Sequence, residues 1–235
     1  MRIGAIILAR LDSRRLPRKA LRDLCGKPLI GWAIDACRAV PGLDEIILAT
    51  TDRAQDDELA DYARHAGIDC LRGDCDDVAG RFLAAMESFR LDAAVRFNGD
   101  SPLQRPSLLA QAVELFRQSD VDLVSNVPGR RFPYGVSIEV IGLAVMRAAH
   151  AGMTNRAHRE HVTSIFYDHP ERIRTRYISA DDPTLAGVQL AVDDENDLAR
   201  VSWIITRLEA PAAAAALVDI VRLAREYDRR HGAVA

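Results

Sequence analysis

Residues 1–30 of the chain read MRIGAIILARLDSRRLPRKALRDLCGKPLI. The run from Ile3 to Leu8 is apolar, which predicts a first buried β-strand. It is followed at once by a loop that holds a cluster of cationic side chains: Arg10, Arg14, Arg15, Arg18 and Lys19. In open α/β sheets, ligands bind at the carboxyl ends of the strands. A strand followed by a basic loop therefore predicts a binding site for an anion at this edge of a sheet.

The basic loop favours a nucleoside triphosphate as that anion. Arginine binds phosphate oxygens through paired donors, lysine adds a point charge, and Ser13 adds a hydroxyl. The loop holds too little glycine for a Walker A loop or a dinucleotide-binding motif, so side chains would have to hold the phosphates. The alternative is a solvated basic loop that binds no ligand.

The composition is that of a globular protein, and we predict a single domain over residues 1–235. Hydrophobic residues make up 49% of the chain, charged residues make up 28%, and the net charge is −3. Nucleic-acid-binding modules are usually strongly basic, so this balance argues against that class. The positive charge is local instead, which suits a small anionic ligand.

The sequence shows no sign of export or of a membrane span. Arg10 interrupts the only apolar run near the N-terminus, so no signal peptide is expected, and no stretch approaches the roughly 20 apolar residues of a membrane helix. The cysteines form no CxxC pair and have no zinc-ligand spacing; they are Cys25, Cys37, Cys70 and Cys75. We therefore expect reduced thiols and a cytoplasmic protein.

Strand and helix patterns alternate through the first half of the chain, which predicts an α/β fold with a doubly wound, mainly parallel sheet. The predicted strands are Ile3–Leu8 and residues 45–50, 68–71, 93–97 and 121–125. The predicted helices are residues 28–38, 56–66, 77–89 and 107–118, and two more helices begin near residues 196 and 218 towards the end of the chain.

The regular alternation of strand and helix patterns ends after residue 126. We expect an extended hairpin or excursion over residues 131–141 and then mixed, partly β and partly helical elements, with an apolar strand ending at Val192. The excursion over residues 126–185 is the part of the domain that we expect to bind an acceptor or to form a dimer.

Two acids follow predicted strands at the same edge as the basic loop. Asp100 follows the strand over residues 93–97, and Asp193 follows Val192. Magnesium prefers carboxylate and phosphate oxygens, so we predict that both acids are metal ligands. The alternatives are an ordinary Asn-Gly-Asp turn at Asp100 and helix capping at residues 193–197, where one of the later acids caps the helix.

Two further charged motifs are less specific. The stretch HREH over residues 158–161 places its histidines at i and i+3 on one helical face, without the HExxH pattern of zinc proteases. It favours a surface helix with an internal ion pair, and a contact with an anionic or hydroxylated substrate stays open. Asp76, Asp77 and Arg81 indicate the charged start of a helix.

The N-terminal stretch resembles the signature of the cytidylyltransferases that activate acidic sugars, A-R-x-x-S-x-R-L-P-x-K followed by G-K-P-L/M-I. The matching positions are Ala9, Arg10, Ser13, Arg15, Leu16, Pro17, Lys19, Gly26, Lys27, Pro28 and Ile30. Later segments are similar to the spore-coat-polysaccharide branch. These are R-x-x-G-D-x-P from Arg96, D-D-V-x-x-R from Asp76, R-E-H-V-T from Arg159 and V-D-x-x-x-D-L from Val192.

The resemblance implies a nucleotide-diphospho-sugar transferase fold, CTP as co-substrate and Mg²⁺. It implies a nucleotide-binding set in which the triphosphate loop is followed by residues near the cytosine and ribose: Ala9, Arg10, Ser13, Arg15 and Lys19, then Arg81 and Asn98. It implies that Asp100 and Asp193 hold magnesium and that Lys19, Arg15 and Asp100 are catalytic. The residues expected towards the sugar are Tyr134, Gly135, Glu139, Arg159 and His161.

The function implied is transfer of CMP from CTP to a sugar or sugar-acid acceptor, with release of pyrophosphate, in surface polysaccharide or glycoconjugate biosynthesis. One alternative is a glycosyltransferase on the same fold, although Asn98 stands where such enzymes carry the first acid of a D-x-D motif. Another is a non-catalytic nucleotide-binding subunit. Ser137 replaces an acid of the branch pattern, which bears on the identity of the acceptor. A homodimer is a further expectation from the resemblance.

Overall fold

One sheet of seven strands organises the protein, and the computed structural model describes residues 1–232. Two further strands form a small separate hairpin. The strands in chain order are β1 Ile3–Leu8, β2 Asp23–Leu24, β3 Lys27–Pro28, β4 Glu45–Thr51, β5 Asp69–Gly73, β6 Ala93–Asn98, β7 Leu123–Ser125, β8 Glu139–Gly142 and β9 Thr175–Tyr177. The helices are α1 Leu29–Arg38, α2 Asp57–His65, α3 Val78–Ser88, α4 Pro106–Gln118, α5 Leu143–Ala151, α6 Arg156–Glu160, α7 Ser164–Asp168, α8 Glu195–Ile205 and α9 Leu217–His231.

The sheet has the order β5-β4-β1-β6-β8-β7-β9. Strand β8 runs antiparallel to both β6 and β7, and the other neighbouring pairs are parallel. The prediction of a mainly parallel α/β sheet is therefore confirmed. Strands β4 and β5 lie on one side of β1, and β6 lies on the other, so the strand order reverses between β1 and β6, whose carboxyl ends lie together. Crevices at such points are where α/β proteins bind ligands.

Helices cover both faces of the sheet, as expected for a doubly wound fold. Ile7 of β1 packs in one buried cluster with Ile34 of α1. Ile6, the preceding residue, points to the opposite face and packs with Phe82 of α3 and Met146 of α5. This alternation places apolar side chains on both sides of the central strand, which is why the strand is a continuous apolar run in the sequence.

The helices begin and end where the sequence signals predict. The Asp77 carboxylate accepts a hydrogen bond from the Gly80 N–H at 2.7 Å and so caps α3. Pro106 stands in the first turn of α4. Gly67 follows α2 with a φ of +67°, a left-handed conformation that glycine adopts without strain.

The predicted hairpin over residues 131–141 is wrong. The only strand in this stretch is β8, which begins at Glu139, near the end of the stretch, and pairs with β6 and β7. The preceding residues are held in part by a side chain: Asn126 donates from Nδ2 to the Val136 carbonyl at 2.8 Å and accepts from the Ile138 N–H at 2.7 Å. Amide side chains of this kind replace the hydrogen bonds that a ladder would provide.

The predicted strand ending at Val192 is also wrong, because residues 189–192 form no strand of the sheet. Their backbone contacts with other segments include an isolated bridge between Tyr134 and Gln189 and a hydrogen bond from the Val192 N–H to the Asp100 carbonyl at 2.9 Å. This bond and the burial of Leu190 and Val192, both 0% exposed, hold the segment beside the end of β6 without extending the sheet. In residues 1–232, no helix is long and apolar enough to cross a membrane.

Candidate active site

A cavity of about 720 Å³ lies at the carboxyl ends of β1 and β6. The loop after β1, the start of α3 and the segment around α6 form its walls. Cationic and acidic side chains dominate its lining, which includes Arg10, Asp12, Arg14, Arg15, Lys19, Arg53, Asp76, Arg81, Arg96, Asp100, Arg156, Glu160 and Asp193. The basic loop and both predicted metal ligands therefore share one cavity.

Buried apolar residues hold the basic loop in place. Leu11 and Leu16 are 6% and 0% exposed, so the loop is attached to the core at both of these points. The Leu11 N–H also donates to Asp56, a carboxylate that is itself buried, at 2.7 Å. Ser13 and Lys19 line the cavity, whereas Arg18 forms an ion pair with the exposed Glu58. Fixed anchors are what allow a loop without glycine to present its side chains in one direction.

Lys19 brings the two predicted metal ligands together. Its Nζ lies 2.9 Å from Oδ2 of Asp100 and 3.0 Å from Oδ1 of Asp193. Arg15 approaches the other oxygen of Asp193, at 3.2 Å. Residues that are 81 and 174 positions away from Lys19 in the chain thus meet at one ammonium group.

In the VDDEND stretch, the residues after Asp193 cap helix α8 and hold the backbone of Asp193. Asp194 caps α8 by accepting the Asp197 N–H at 2.9 Å, and Asp197 in turn accepts the N–H of Asp193 at 3.0 Å. Asp193 is thereby left to face the cavity. Burial would raise the pKa of Asp193, but hydrogen bonds and charge from Lys19 and then Arg15 outweigh it and hold the pKa below its usual value. The carboxylate is therefore ionised at neutral pH.

Gly99 allows the end of β6 to approach the end of β1. Its N–H donates to the Leu8 carbonyl at 3.0 Å. A Cβ at this position would lie 2.9 Å from Cδ1 of Ile30 and 3.0 Å from Cβ of Ala9. The close backbone approach brings Ala9, Asn98 and Asp100 to the same wall of the cavity.

Arg10 links the basic loop to the segment around α6. Its guanidinium lies 2.8 Å from Asp12 and 3.1 Å from Glu160, and it donates to the Cys75 carbonyl at 3.2 Å. Glu160 and Cys75 line the cavity but were not among the predicted site residues. Both contact Arg10, from which Glu160 is 150 positions and Cys75 is 65 positions away in the chain, and no local sequence pattern indicates contacts of this range.

Arg81 and Asn98 both line the cavity, as the sequence predicts. Arg81 is 3% exposed, donates to the Asp74 carbonyl, and has no hydrogen-bond partner for Nε within residues 1–232. Burial lowers the pKa of Arg81, although an arginine stays charged at neutral pH. A buried guanidinium with an unused donor next to a cavity is well suited to bind a polar ligand.

The residues predicted for the sugar do not all meet. His161 lines the main cavity. Tyr134 and Gly135 lie outside that lining, and Tyr134 is 47% exposed. Arg159 forms an ion pair with Asp77 and lines a neighbouring cavity of about 510 Å³.

The expectation that the two histidines of HREH share a helical face is wrong. Helix α6 ends at Glu160, so His161 lies beyond its end. His158 forms a 2.8 Å contact with Asp168, away from the cavity that His161 lines.

Glu139 lies behind the cavity and acts on Arg96, a lining residue that the predicted site did not include. Arg96 donates from Nη1 to Oε2 of Glu139 at 2.6 Å, and Tyr167 donates to Oε1 at 2.5 Å. The Tyr167 hydroxyl lies 2.7 Å from Oγ of Ser125. Burial, and then the Glu139 charge, raise the pKa of Tyr167, which therefore stays protonated as the donor. Glu139 is 1% exposed, and both of its oxygens have donors.

The donor set fits a magnesium ion that is bound jointly by protein and nucleotide. One oxygen of Asp100 and one of Asp193 already share a single cationic partner, the Lys19 ammonium. Within residues 1–232, no group of three or more His, Cys, Asp or Glu side chains could hold a metal ion. Magnesium is commonly held by one or two carboxylates and completed by substrate phosphates and water, which matches this pair.

Comparison with known proteins agrees with the fold and identifies a family. The chain is 28% identical over 200 residues to the spore coat polysaccharide biosynthesis protein SpsF of Bacillus subtilis, which covers 82% of this chain and 81% of that protein. It is 30% identical over 131 residues to a 3-deoxy-manno-octulosonate cytidylyltransferase of Acidobacterium capsulatum, covering 54% of this chain and 52% of that protein. This second match spans about half of the relative's length.

The solved structure of a cytidylyltransferase from Leptospira borgpetersenii superposes with a TM-score of 0.90, covering 97% of this chain and 96% of that one at 22% identity. This likeness confirms the predicted nucleotidyltransferase fold. A family model described as cytidylyltransferase matches residues 4–178, which is most of the chain and includes the basic loop. The chain therefore belongs to the cytidylyltransferase family and is a nucleotidyltransferase.

Proposed function

We propose that this protein transfers CMP from CTP to a hydroxyl group of a sugar or sugar acid and releases pyrophosphate. The observation that carries the proposal is the meeting of Lys19, Asp100 and Asp193 within 3.0 Å in the cavity beside the basic loop. The relatives that act in spore coat polysaccharide biosynthesis and on 3-deoxy-manno-octulosonate support a role in surface polysaccharide or glycoconjugate synthesis.

Asp100 and Asp193 are the residues that would hold Mg²⁺. A bound divalent ion supplies charge stabilisation at the phosphoryl oxygens of the nucleotide. Two different segments of the chain position the two carboxylates. Asp100 follows β6, and the Val192 N–H holds the loop of Asp193 to the Asp100 carbonyl at 2.9 Å.

The basic loop supplies the positive charge for the triphosphate. Arg10, Ser13, Arg15 and Lys19 line one side of the cavity and would contact phosphate oxygens. Lys19 and Arg15 would then offset the charge that develops on the departing pyrophosphate. Fixed charges of this kind, aimed at a leaving group, give a large share of the rate enhancement in phosphoryl transfer.

The other side of the cavity suits the nucleoside. Arg81 has an unused buried donor, and Asn98 presents an amide two residues before Asp100. Ala9 has only a small side chain and lies against Gly99, so it leaves room for a ribose or a base between the two strand ends. We assign these residues to the cytosine and ribose.

The acceptor would enter from the segment over residues 126–185. His161 is the residue of this segment that we assign to a direct contact, because it lines the cavity. Glu139 would act through Arg96, which lines the cavity. Tyr134, Gly135 and Arg159 would bind a part of the acceptor that extends beyond the cavity.

The same segment is our candidate for a homodimer surface. Strand β9 lies at the edge of the sheet, and its Tyr177 is 52% exposed. Multi-angle light scattering would give about twice the chain mass of 25.9 kDa for a dimer, and a monomer mass would remove this proposal. The cytoplasmic location stays a prediction from the cysteine pattern.

The first test is binding and turnover with defined nucleotides. Melting temperature would be measured with CTP, UTP, ATP and GTP, each with and without Mg²⁺, because a ligand that binds the folded state raises it by an amount that grows with the ratio of ligand concentration to Kd. Pyrophosphate release would then be followed with CTP and a panel of sugar acids that includes 3-deoxy-manno-octulosonate. We expect a shift specific for CTP and turnover with one acceptor.

Asp100→Asn is the matched test of the site. We expect a loss of turnover of at least about 100-fold, as for other electrostatic groups that act in the transition state, with an unchanged circular dichroism spectrum. Asp219→Asn, an identical change on the exposed face of α9, should leave turnover unchanged. Near-normal activity of Asp100→Asn would refute the metal assignment. Stabilisation only by nucleotide sugars would favour a glycosyltransferase, and binding without turnover would favour a non-catalytic subunit.

A further inference from the structure

Lys19 lies where a metal ion held by Asp100 and Asp193 would have to bind. One oxygen of each carboxylate lies within 3.0 Å of its Nζ, so the ammonium bridges the pair. The Lys19 side chain is 17% exposed, and the two aspartates are 27% and 32% exposed. The contact is therefore partly shielded from water, which strengthens an ion pair relative to a surface pair.

The local charges balance without a metal ion. Lys19 and Arg15 carry two positive charges, and Asp100 and Asp193 carry two negative charges. A divalent cation that arrives alone gains little from a neutral cluster. To reach both carboxylates it must also displace an ammonium that donates a charge-assisted hydrogen bond to each of them.

We propose that Lys19 competes with the metal ion for these carboxylates, so that the metal binds tightly only together with a nucleoside triphosphate. The inference rests on the proposed function. The triphosphate would supply oxygens that Lys19 and Arg15 can bind instead of the aspartates. The ammonium exchanges carboxylate for phosphate, and the carboxylates become free for the metal.

This exchange couples the two ligands. If the nucleotide raises the affinity for the metal by some factor, the metal raises the affinity for the nucleotide by the same factor. Lys19 is therefore more than a phosphate contact, because it also prevents the aspartate pair from holding a metal ion in the absence of nucleotide.

The test is direct binding of Mn²⁺ alone, with free Mn²⁺ measured by electron paramagnetic resonance. Lys19→Met should bind Mn²⁺ at least tenfold more tightly than the wild-type protein. Lys19→Gln, which keeps a hydrogen-bond donor but carries no charge, should also bind Mn²⁺ more tightly than the wild-type protein. Lys27→Met is the matched control, because Lys27 pairs with Asp35 outside the cavity, and its Mn²⁺ affinity should stay within twofold of wild type. Circular dichroism would verify that each variant is folded.

Two further measurements locate the effect. The double variant Lys19→Met with Asp100→Asn should lose the gain, which would place the bound ion on the aspartate pair. CTP should raise the Mn²⁺ affinity of the wild type by a larger factor than that of Lys19→Met.

The competition is overturned if both folded Lys19 variants bind Mn²⁺ no more tightly than the wild type, or if the gain survives Asp100→Asn. An absence of any CTP effect, with the gain in Lys19→Met intact, would support the competition between Lys19 and the metal ion, but would overturn both its coupling to the nucleotide and the proposed nucleotide function.

Discussion

Replacement of Glu139 by glutamine should destabilise the protein strongly, although the two side chains have nearly the same shape. The Glu139 side chain is 2% exposed and lies 2.6 Å from Arg96, whose side chain is 17% exposed. Removing one partner of a buried ion pair leaves the other charge uncompensated, at a cost of about 3–5 kcal/mol. Arg96 is partly solvated and the amide can still accept a hydrogen bond, so we expect about 2–3 kcal/mol for Glu139→Gln.

The assay is urea unfolding followed by circular dichroism, together with calorimetry. The expected loss corresponds to a decrease in melting temperature of about 4–12 °C for a chain of this size. Glu171→Gln, whose side chain is 67% exposed, is the control and should change the free energy of unfolding by less than about 0.5 kcal/mol.

The double variant Arg96→Met with Glu139→Gln should recover part of the stability that Glu139→Gln loses, because no unpaired charge remains. A loss below about 1 kcal/mol for Glu139→Gln would refute the conclusion that this pair is an essential buried charge pair.

Three further outcomes are expected. Gly99→Ala places a methyl group 2.9 Å from Cδ1 of Ile30, so it should cost about 1–3 kcal/mol in urea unfolding and weaken CTP binding in calorimetry. Burial would raise the pKa of Asp77, but hydrogen bonds from His150 and the backbone hold the pKa below its ordinary value of 3.8. Asp77→Asn should therefore lower the free energy of unfolding by its full amount above pH 3.8. This difference from the wild type should disappear as the pH falls through the lower pKa of the folded state, as measured by unfolding at several pH values. The Cys37 thiol is 1% exposed and its pKa is raised by burial, so it should react with a thiol reagent only after unfolding.

The first half of the fold could be predicted from the sequence because its signals are local. Continuous apolar runs mark β1, β4 and β6, and caps such as Asp77 and Gly67 mark the helix ends to within one or two residues. The position of Asp100 followed from the same logic, since the carboxyl ends of neighbouring parallel strands meet at one edge. The basic loop could be predicted for the same reason, because it directly follows β1.

The second half depends on contacts that no local pattern contains. Residues 131–136 are rich in turn-forming positions, and they are held by the side chain of Asn126 where the periodicity indicated a hairpin. Asp193 was placed at the correct edge for the wrong reason. One hydrogen bond from Val192 to Asp100, and not a strand, brings it to the cavity.

The contact between Arg96 and Glu139 is the clearest example of a feature that could not be predicted from the sequence. Within the β6–β8–β7 pairings, Val95 lies opposite Val140 and Glu139 lies opposite Ser125, so the next position along β6 places Arg96 beside Glu139. The contact depends on the register of three strands that are far apart in the chain and on the antiparallel direction of β8, and none of these is encoded in a local motif.

The two kinds of ion pair in this cavity differ in a way that matches their proposed tasks. Arg96 and Glu139 are fixed by the sheet, and Tyr167 occupies the remaining oxygen of Glu139, so exchanging partners would leave a buried charge unpaired. Lys19 lies instead in a short 3-10 turn at the end of the basic loop, with a flexible stem and partners that are about one-third exposed. Exchange of those partners for phosphate would replace one charge-assisted contact of Lys19 by another, and a bound metal ion would pair with the carboxylates that Lys19 releases. The rigid pair can therefore position a substrate contact, while the loop pair can open when a polyanion arrives.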